Sequence, residues 1–372
     1  MREIRYICPI YSCGPGPPAT AANLSGNPTM KDIIEVRRTD GTFSTVAIGN
    51  VLADLPALLP DRRVIVITDA NVHRRYPDLV NRYEHILVGM GETNKTLITV
   101  GNVYSELLAR GVDRKCFILG IGGGIVTDIA GFVASTYMRG LRFGFIASTL
   151  LAQVDASVGG KNGVNVDGYK NMAGTFNQPD FVLCDTSMLR TLPEREFRAG
   201  LAEIIKSGLI ADRELFELFE RHTIDELRDD PALLRRIITG AVRVKARIVE
   251  ADERETGERK KLNLGHTFAH AVEKTSREFL HGEAVAIGLA MIADLSVREG
   301  TLTEDDARRI KEALTRMGLP LASGVEYRKL VRALEMDKKK DASQVSLILM
   351  NGIGDCLIRP KSFEEIGAAD MD

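Results

Sequence analysis

No CxxC cysteine pair, no long apolar run and no large excess of either charge mark this chain, and each absence narrows what it can be. The 372 residues hold five cysteines, Cys8, Cys13, Cys116, Cys184 and Cys356, an odd number with no CxxC spacing. Cys116 and Cys184 lie in apolar runs, the setting of a reduced core thiol, so the sequence points to a reducing cytoplasm and away from a disulfide framework. No stretch reaches the ~18 apolar residues of a membrane span. A formal net charge of -2 creates no overall field that would recruit nucleic acid or an acidic membrane. A local basic pocket for a phosphorylated metabolite stays open. No internal repeat and no low-complexity core is visible.

What is present is an ordinary globular composition, 44% hydrophobic and 27% charged, in a chain long enough for two or three domains. Residues 1–29 stand apart. Cys13-Gly14-Pro15-Gly16-Pro17-Pro18 cannot continue a helix or a central strand. They read as a flexible N-terminal extension or a misplaced start, with Met30 the expected true one.

From residue 30 to 190 short apolar runs alternate with helical patterns. Val64–Ile67, Ile86–Val88, Cys116–Leu119 and Phe143–Ile146 each stop at a turn or polar signal. Runs of that length suit strands buried on both faces of a parallel sheet. Leu97 to Arg110 reads as an amphipathic helix ended by Gly111. The alternation predicts an α/β domain over 30–190. Over 191–372 the strand signals fade, and Phe197–Ser207, Arg213–His222, Pro231–Glu250, Thr267–Phe279, Glu283–Glu299 and Glu304–Met317 read as helices. Thr303, followed by three acids, has the pattern of a capped helix start. A cleft between two such domains is a common ligand site.

Three segments carry chemistry. Gly120-Ile121-Gly122-Gly123-Gly124-Ile125-Val126-Thr127-Asp128 follows a strand and opens a helix, where bare backbone and free N–H groups can meet a pyrophosphate. It lacks the third glycine of the usual GxGxxG fingerprint, and a tight turn without a ligand is its bland alternative. Asp69, at a strand end, could bond a ribose hydroxyl or simply cap a helix. Residues 148–178 gather Asp155, Lys161, Asn162, Asn165, Lys170 and Asn171 among glycines, a polar loop set able to neutralise and orient a phosphorylated polyol.

The third segment is metal-like. Three of the six histidines, His266, His270 and His281, cluster in sequence. His266 and His270 share a helix face if the helix begins by His266. Glu203 and Lys206 stand three apart on another apolar helix, where a buried acid wants a partner. Two imidazoles and one carboxylate make a catalytic zinc shell with an open position. Spacing leaves open which two histidines ligate.

Taken together, the segments GGGIVTDIAGFVASTYMRG, STLLAQVDASVGGKNGVN, YKNMAGTFNQP, TLPEREFRAGLAEIIK, ETGERKKLNLGHTFAHAVE and LHGEAVAIG, in this order across residues 30–362, closely resemble the 3-dehydroquinate synthases. The resemblance implies an α/β Rossmann-like nucleotide-binding N-terminal domain, an all-α metal- and substrate-binding C-terminal domain, a homodimer, and a cytoplasmic enzyme of aromatic biosynthesis. It implies NAD contacts at Asp69, Glu92, Lys95, Gly123, Gly124, Ile125, Asp128, Ser148, Thr149, Lys161, Lys170, Thr191 and Glu196. Zinc or cobalt would be held by Glu203, His266 and His281. Asp128, Asp155, Lys161, Lys170, Asn171, Lys206, Lys245, Glu255, Arg259, Asn263, His270 and Lys339 would line the substrate site, with Lys338 and Lys340 as alternatives to Lys339. Arg139 would reach the partner subunit's phosphate pocket. Thr127, Ser148, Asn162 and Tyr169 depart from the family's usual residues, and Asn162 and Tyr169 flank implied substrate contacts.

The reaction so implied converts 3-deoxy-D-arabino-heptulosonate 7-phosphate to 3-dehydroquinate and phosphate. It runs through transient oxidation by NAD, β-elimination, re-reduction, ring opening and aldol closure. The rivals are a sister cyclase with another heptulose, a metal-dependent polyol dehydrogenase, and a catalytically dead subunit.

Overall fold

The computed structural model describes residues 31–338 and 344–369. The 1–29 extension, Met30 and Lys339 therefore lie outside the described residues.

A seven-stranded sheet organises the first half. Its strands are β1 (Lys31–Arg37), β2 (Phe43–Gly49), β3 (Val64–Asp69), β4 (Glu84–Val88), β5 (Phe117–Gly122), β6 (Arg142–Ala147) and β9 (Phe181–Asp185), in the order β1-β2-β9-β6-β5-β3-β4. β1 pairs antiparallel with β2, and every other pairing is parallel. The four strands expected from apolar runs are all present. β1, β2 and β9 were not singled out: Lys31–Arg37 has no apolar run longer than two residues and sits at the sheet edge, where one face meets solvent.

The chain leaves β3 toward β4 on one side and returns to β5 on the other. Such a reversal opens a crevice at the carboxyl ends of the strands, the usual ligand site of open α/β sheets. Asp69 ends β3, the glycine loop follows β5, and Ser148-Thr149 follow β6, so all three face that crevice.

The second half is helical, with helices Glu194–Ala211, Arg213–Arg221, Pro231–Ala251, His266–Thr275, His281–Arg298, Glu304–Arg316 and Tyr327–Lys338. Local signals fix their starts. Asp212 accepts from Leu215 N, Asp230 caps a helix with Pro231 at its first position, and Thr303 accepts from Asp306 N at 3.1 Å. The helix starting at His281 begins two residues before the expected Glu283. The all-α expectation needs one addition, an antiparallel pair β10 (Gln344–Met350) and β11 (Cys356–Ser362).

Two glycines set how closely the helices approach. A Cβ on Gly282 would lie 1.9 Å from the carbonyl oxygen of Ala199, and one on Gly288 would lie 2.1 Å from that of Gly265. Both contacts are impossible for any larger residue. The His281–Arg298 helix can therefore lie directly on the Glu194–Ala211 helix and on the turn that precedes His266. Carboxylate and imidazoles are brought into one volume by that crossing.

The polar 148–178 segment is not a set of loops. A π-turn at Ala152–Ala156 leads to an antiparallel ribbon of β7 (Lys161–Val166) and β8 (Tyr169–Phe176), paired from Lys161↔Phe176 to Val166↔Tyr169 with an irregularity after Val164. Asn162 seats it: a Cβ on Gly131 of the Gly124–Thr136 helix would fall 1.9 Å from Asn162 Oδ1. The Asn162 amide also donates to the carbonyls of Gly160 and Asn177 at 3.1 and 2.8 Å. Pairing within the ribbon satisfies a backbone that its side chains alone would have left in solvent.

Candidate functional site

At the helical wall of the cleft, Glu203 is 2% exposed and its carboxylate pairs with Lys206, one turn along the same helix and 3% exposed. His266 Nε2 and His281 Nε2 each lie 3.5 Å from Glu203 Oε1. One ligand atom from each of the three residues falls within 4.8 Å of the others. His270 stands one turn beyond His266, its ring edge-on at 5.7 Å. Of the two histidine pairings left open by spacing, the geometry gathers His266 and His281 around the carboxylate.

The donor chemistry suits a divalent cation. Within the chain the buried Glu203 carboxylate is matched by Lys206, with both imidazoles 3.5 Å from Oε1, as a buried charge requires. The Nδ1 atoms of both histidines are already engaged, His266 with Leu264 O at 3.2 Å and His281 with Glu273 Oε1 at 3.1 Å. Each imidazole is thus left to present Nε2 to the centre. Burial, then Lys206, pushes His266 down to about 3, so its ring is neutral and able to ligate. Burial would raise Glu203, but Lys206, His281 and His266 hold it well below the usual carboxylate range. Against its burial, Glu203 and Glu273 raise His281 to about 9, so a bound metal would displace its proton. One carboxylate and two imidazoles form the donor set of a catalytic zinc or cobalt site.

A second group lies beside the first. Lys245, on the Pro231–Ala251 helix, pairs with Asp155 of the π-turn and donates to its backbone carbonyl at 2.6 Å. Arg259, 2% exposed, donates to Gly159 O at 2.8 Å and to Glu253 O. Lys161 pairs with Glu255, which also accepts from Asn263. Asp155 senses the charges of Glu203 and Lys206, and Lys245 those of Lys206 and Arg259. The two groups form one electrostatic field.

Sequence alone did not reveal what holds the loop in that group. Asp252 accepts from Thr256 N, Gly257 N and Arg259 N at 3.0, 2.7 and 3.1 Å. Burial aside, these bonds pull it down to about 2. They close a tight loop in which Glu255 takes the left-handed conformation, φ 60°. An aspartate just past a helix end was the available signal.

On the sheet side, Gly123 caps the Gly124–Thr136 helix without any side-chain cap, leaving that terminus bare. Cβ atoms on Gly123 and Gly124 would sit 3.0 Å from Thr149 Cγ2 and from Ala156 Cβ. The two glycines let the helix start pack closely against Thr149 and Ala156, and a bare helix N-terminus of this kind suits a diphosphate. Lys95 is 6% exposed, pairs with Asp128 and donates to Asn171 Oδ1 at 2.6 Å. Glu92 accepts from Asn165 at 2.8 Å, and Asn171, at φ 55°, donates from its backbone to Asn165 Oδ1 at 2.9 Å. Asp69 caps the short helix after β3, one oxygen accepting from Asn71 N and Val72 N at 2.8 and 2.9 Å. Thr191 bonds Tyr76 at 2.8 Å, while Ile125 and Glu196 open the Gly124–Thr136 and Glu194–Ala211 helices. Arg139 stands apart, exposed after the Gly124–Thr136 helix with φ 69°.

Comparisons with known proteins agree with this layout. Residues 85–199 match the family model described as 3-dehydroquinate synthase N-terminal, and residues 200–340 match that described as 3-dehydroquinate synthase C-terminal. A 3-dehydroquinate synthase of Pelobacter propionicus is 39% identical over 349 residues, covering 90% of this chain and 97% of its own. Among solved structures, the 2-epi-5-epi-valiolone synthase of Streptomyces hygroscopicus, with NAD+ and Zn2+ bound, superposes with a TM-score of 0.80 at 32% identity, covering 88% of this chain and 95% of that one. A 2-deoxy-scyllo-inosose synthase complexed with carbaglucose-6-phosphate, NAD+ and Co2+ superposes with a TM-score of 0.81 at 25% identity, covering 91% and 98%.

Proposed function

The chain belongs to the 3-dehydroquinate synthase family, and we propose that the cleft between its sheet and its helices carries out that family's reaction. It is a carbon–oxygen lyase that closes the seven-carbon 3-deoxy-D-arabino-heptulosonate 7-phosphate into 3-dehydroquinate with loss of phosphate. The observation that carries this reading is the convergence of Glu203, His266 and His281 on one point beside the charged β7–β8 ribbon.

When bound, NAD supplies a reversible hydride acceptor, and zinc or cobalt on Glu203, His266 and His281 supplies a Lewis acid. The chain's own groups do the rest. Gly123, Gly124 and Ile125 offer bare backbone to the diphosphate, with Asp69, Glu92, Lys95, Ser148, Thr149, Thr191 and Glu196 around the nucleotide. Lys161, Asn171 and Arg259 neutralise and orient the substrate's acidic groups, so that its reacting carbons meet in one pose. Lys206, beside the buried carboxylate, and the Lys245–Asp155 pair keep cationic charge where oxyanions develop. His270, one turn from His266, transfers protons at the substrate's hydroxyls.

The reading extends to a homodimer in the cytoplasm, with Arg139 reaching the partner's phosphate pocket. Among the described residues no helix is long and apolar enough to cross a membrane.

Phosphate release from the heptulosonate substrate, with and without chelator and NAD, tests the proposal. Release that requires both, with no net NADH, supports it. Release only from another sugar phosphate would assign a sister cyclase. NADH accumulating with a simple alcohol would assign a dehydrogenase.

A further inference from the structure

Glu273 lies seven residues after His266 on the same helix face, and its side chain is 9% exposed. Its Oε1 is 3.1 Å from His281 Nδ1 and 3.0 Å from Lys170 Nζ. One buried carboxylate oxygen thereby joins the histidine of the metal cluster to strand β8. We infer that Glu273 is a positioning residue that fixes His281 for metal binding and fastens the β7–β8 ribbon to the metal end of the cleft.

The two halves of this role follow from different chemistry. An imidazole that donates from Nδ1 keeps its Nε2 lone pair for a metal, and a carboxylate acceptor raises the basicity of that nitrogen. His281 Nε2 points at Glu203 while Nδ1 points at Glu273. His266 has only the neutral Leu264 carbonyl in that place, so the stronger outer partner is on His281. The ribbon, for its part, is a separate two-stranded sheet, and two-stranded ribbons are marginal unless packed or tied. Lys170 is 48% exposed, yet its ammonium reaches inward to the buried carboxylate. Metal geometry and ribbon position thus share one atom.

The inference rests on the metal reading above, and the experiment separates the two. Zn2+ affinity of the full chain is measured by competition with a chromophoric chelator for wild type, Glu273→Ala, Glu273→Gln and Lys170→Met. The absorption spectrum of each Co2+ form is recorded, and folding is checked by circular dichroism. Ribbon opening is followed by chymotrypsin cleavage at Tyr169 and Phe176, which are 58% and 51% exposed. Glu273→Ala is expected to weaken Zn2+ by about 10–100-fold and to shift the Co2+ bands. Glu273→Gln, whose amide oxygen still accepts from Nδ1, recovers most of that loss. Lys170→Met leaves Zn2+ affinity near wild type. All three variants are cut faster in the ribbon.

Zn2+ affinity in a folded Glu273→Ala within about twofold of wild type, with unshifted Co2+ bands, overturns the inference. So does a Lys170→Met that loses as much Zn2+ affinity as Glu273→Ala. Should Glu273→Ala not fold, Glu273→Gln decides alone, and a wild-type cleavage rate in that variant overturns the tie. Wild type that takes up no Zn2+ removes the metal reading and this inference together.

Discussion

Lys95 Nζ lies 2.6 Å from Asn171 Oδ1, which ties the turn after β4 to the second strand of the β7–β8 ribbon across the mouth of the nucleotide crevice. The same ammonium pairs with Asp128 on the helix behind the glycine loop. Three segments far apart in sequence meet at one buried charge. Replacing Lys95 by alanine strands the Asp128 carboxylate, and removing one partner of a buried pair costs about 3–5 kcal/mol. Denaturant unfolding at pH 8 is expected to show a loss of this order, shrinking at pH 5, where Asp128 can protonate.

Asp128 itself gives a pH signature. Burial, partly opposed by Lys95, pushes its carboxyl from 3.8 up to about 6. The folded chain then holds a proton that the unfolded chain has already released, so stability falls as pH rises from about 4 to about 6. Asp128→Asn removes that dependence. The stability difference between wild type and Asp128→Asn is expected to move against wild type by about 3 kcal/mol across this window in cofactor-free protein. Parallel curves would refute the shift.

Glu203→Ala and His266→Ala are each expected to lose bound metal and turnover while far-ultraviolet circular dichroism is retained. Metal analysis and phosphate release are the two measurements. Full activity with unchanged metal in either variant would remove that residue from the site.

Lys161→Ala is expected to raise the KM for the phosphorylated substrate by tenfold or more, since a charge-assisted bond contributes about 1.5–3 kcal/mol. NAD binding, followed by nucleotide fluorescence, should change less. Equal losses for both ligands would place Lys161 with the nucleotide instead.

Asp252→Asn should act at a distance. The folded carboxyl sits at about 2, below the 3.8 of an unperturbed aspartate, so its contribution to stability is present above about pH 4 and fades as pH falls toward 2. The neutral amide lacks the charge that holds three backbone N–H groups, and the loop carrying Glu255 and Arg259 loosens. Substrate KM is expected to rise while metal content stays constant, and a kinetic profile identical to wild type would count against this role.

Much of the layout was legible in the sequence because the signals were local. Val64–Ile67 and Phe143–Ile146 read as buried parallel strands from their apolar runs, and Asp230-Pro231 and Thr303 announce helix starts. The β7–β8 ribbon was not legible. Lys161, Asn165 and Lys170 have loop-like composition, and what makes strands of them is packing against the Gly124–Thr136 helix, where Gly131 leaves room for Asn162. β10 and β11 were not singled out, although the apolar run Leu347–Met350 was an available strand signal. Among the site residues, the spacing of His266 and His270 could not choose between His270 and His281, because the choice depends on a helix crossing. Glu273 escaped notice because an acid on an amphipathic helix resembles a solvated one until its partners are known.

That crossing at Gly282 and Gly288 carries a practical lesson for anyone re-engineering the ion's surroundings. The gap between the histidines and the carboxylate is gauged by two missing methyl groups, so a single added carbon at either position would spread the helices and detune coordination while every donor atom stayed in the sequence. A survey of variants confined to the ligands would overlook the residues that calibrate them.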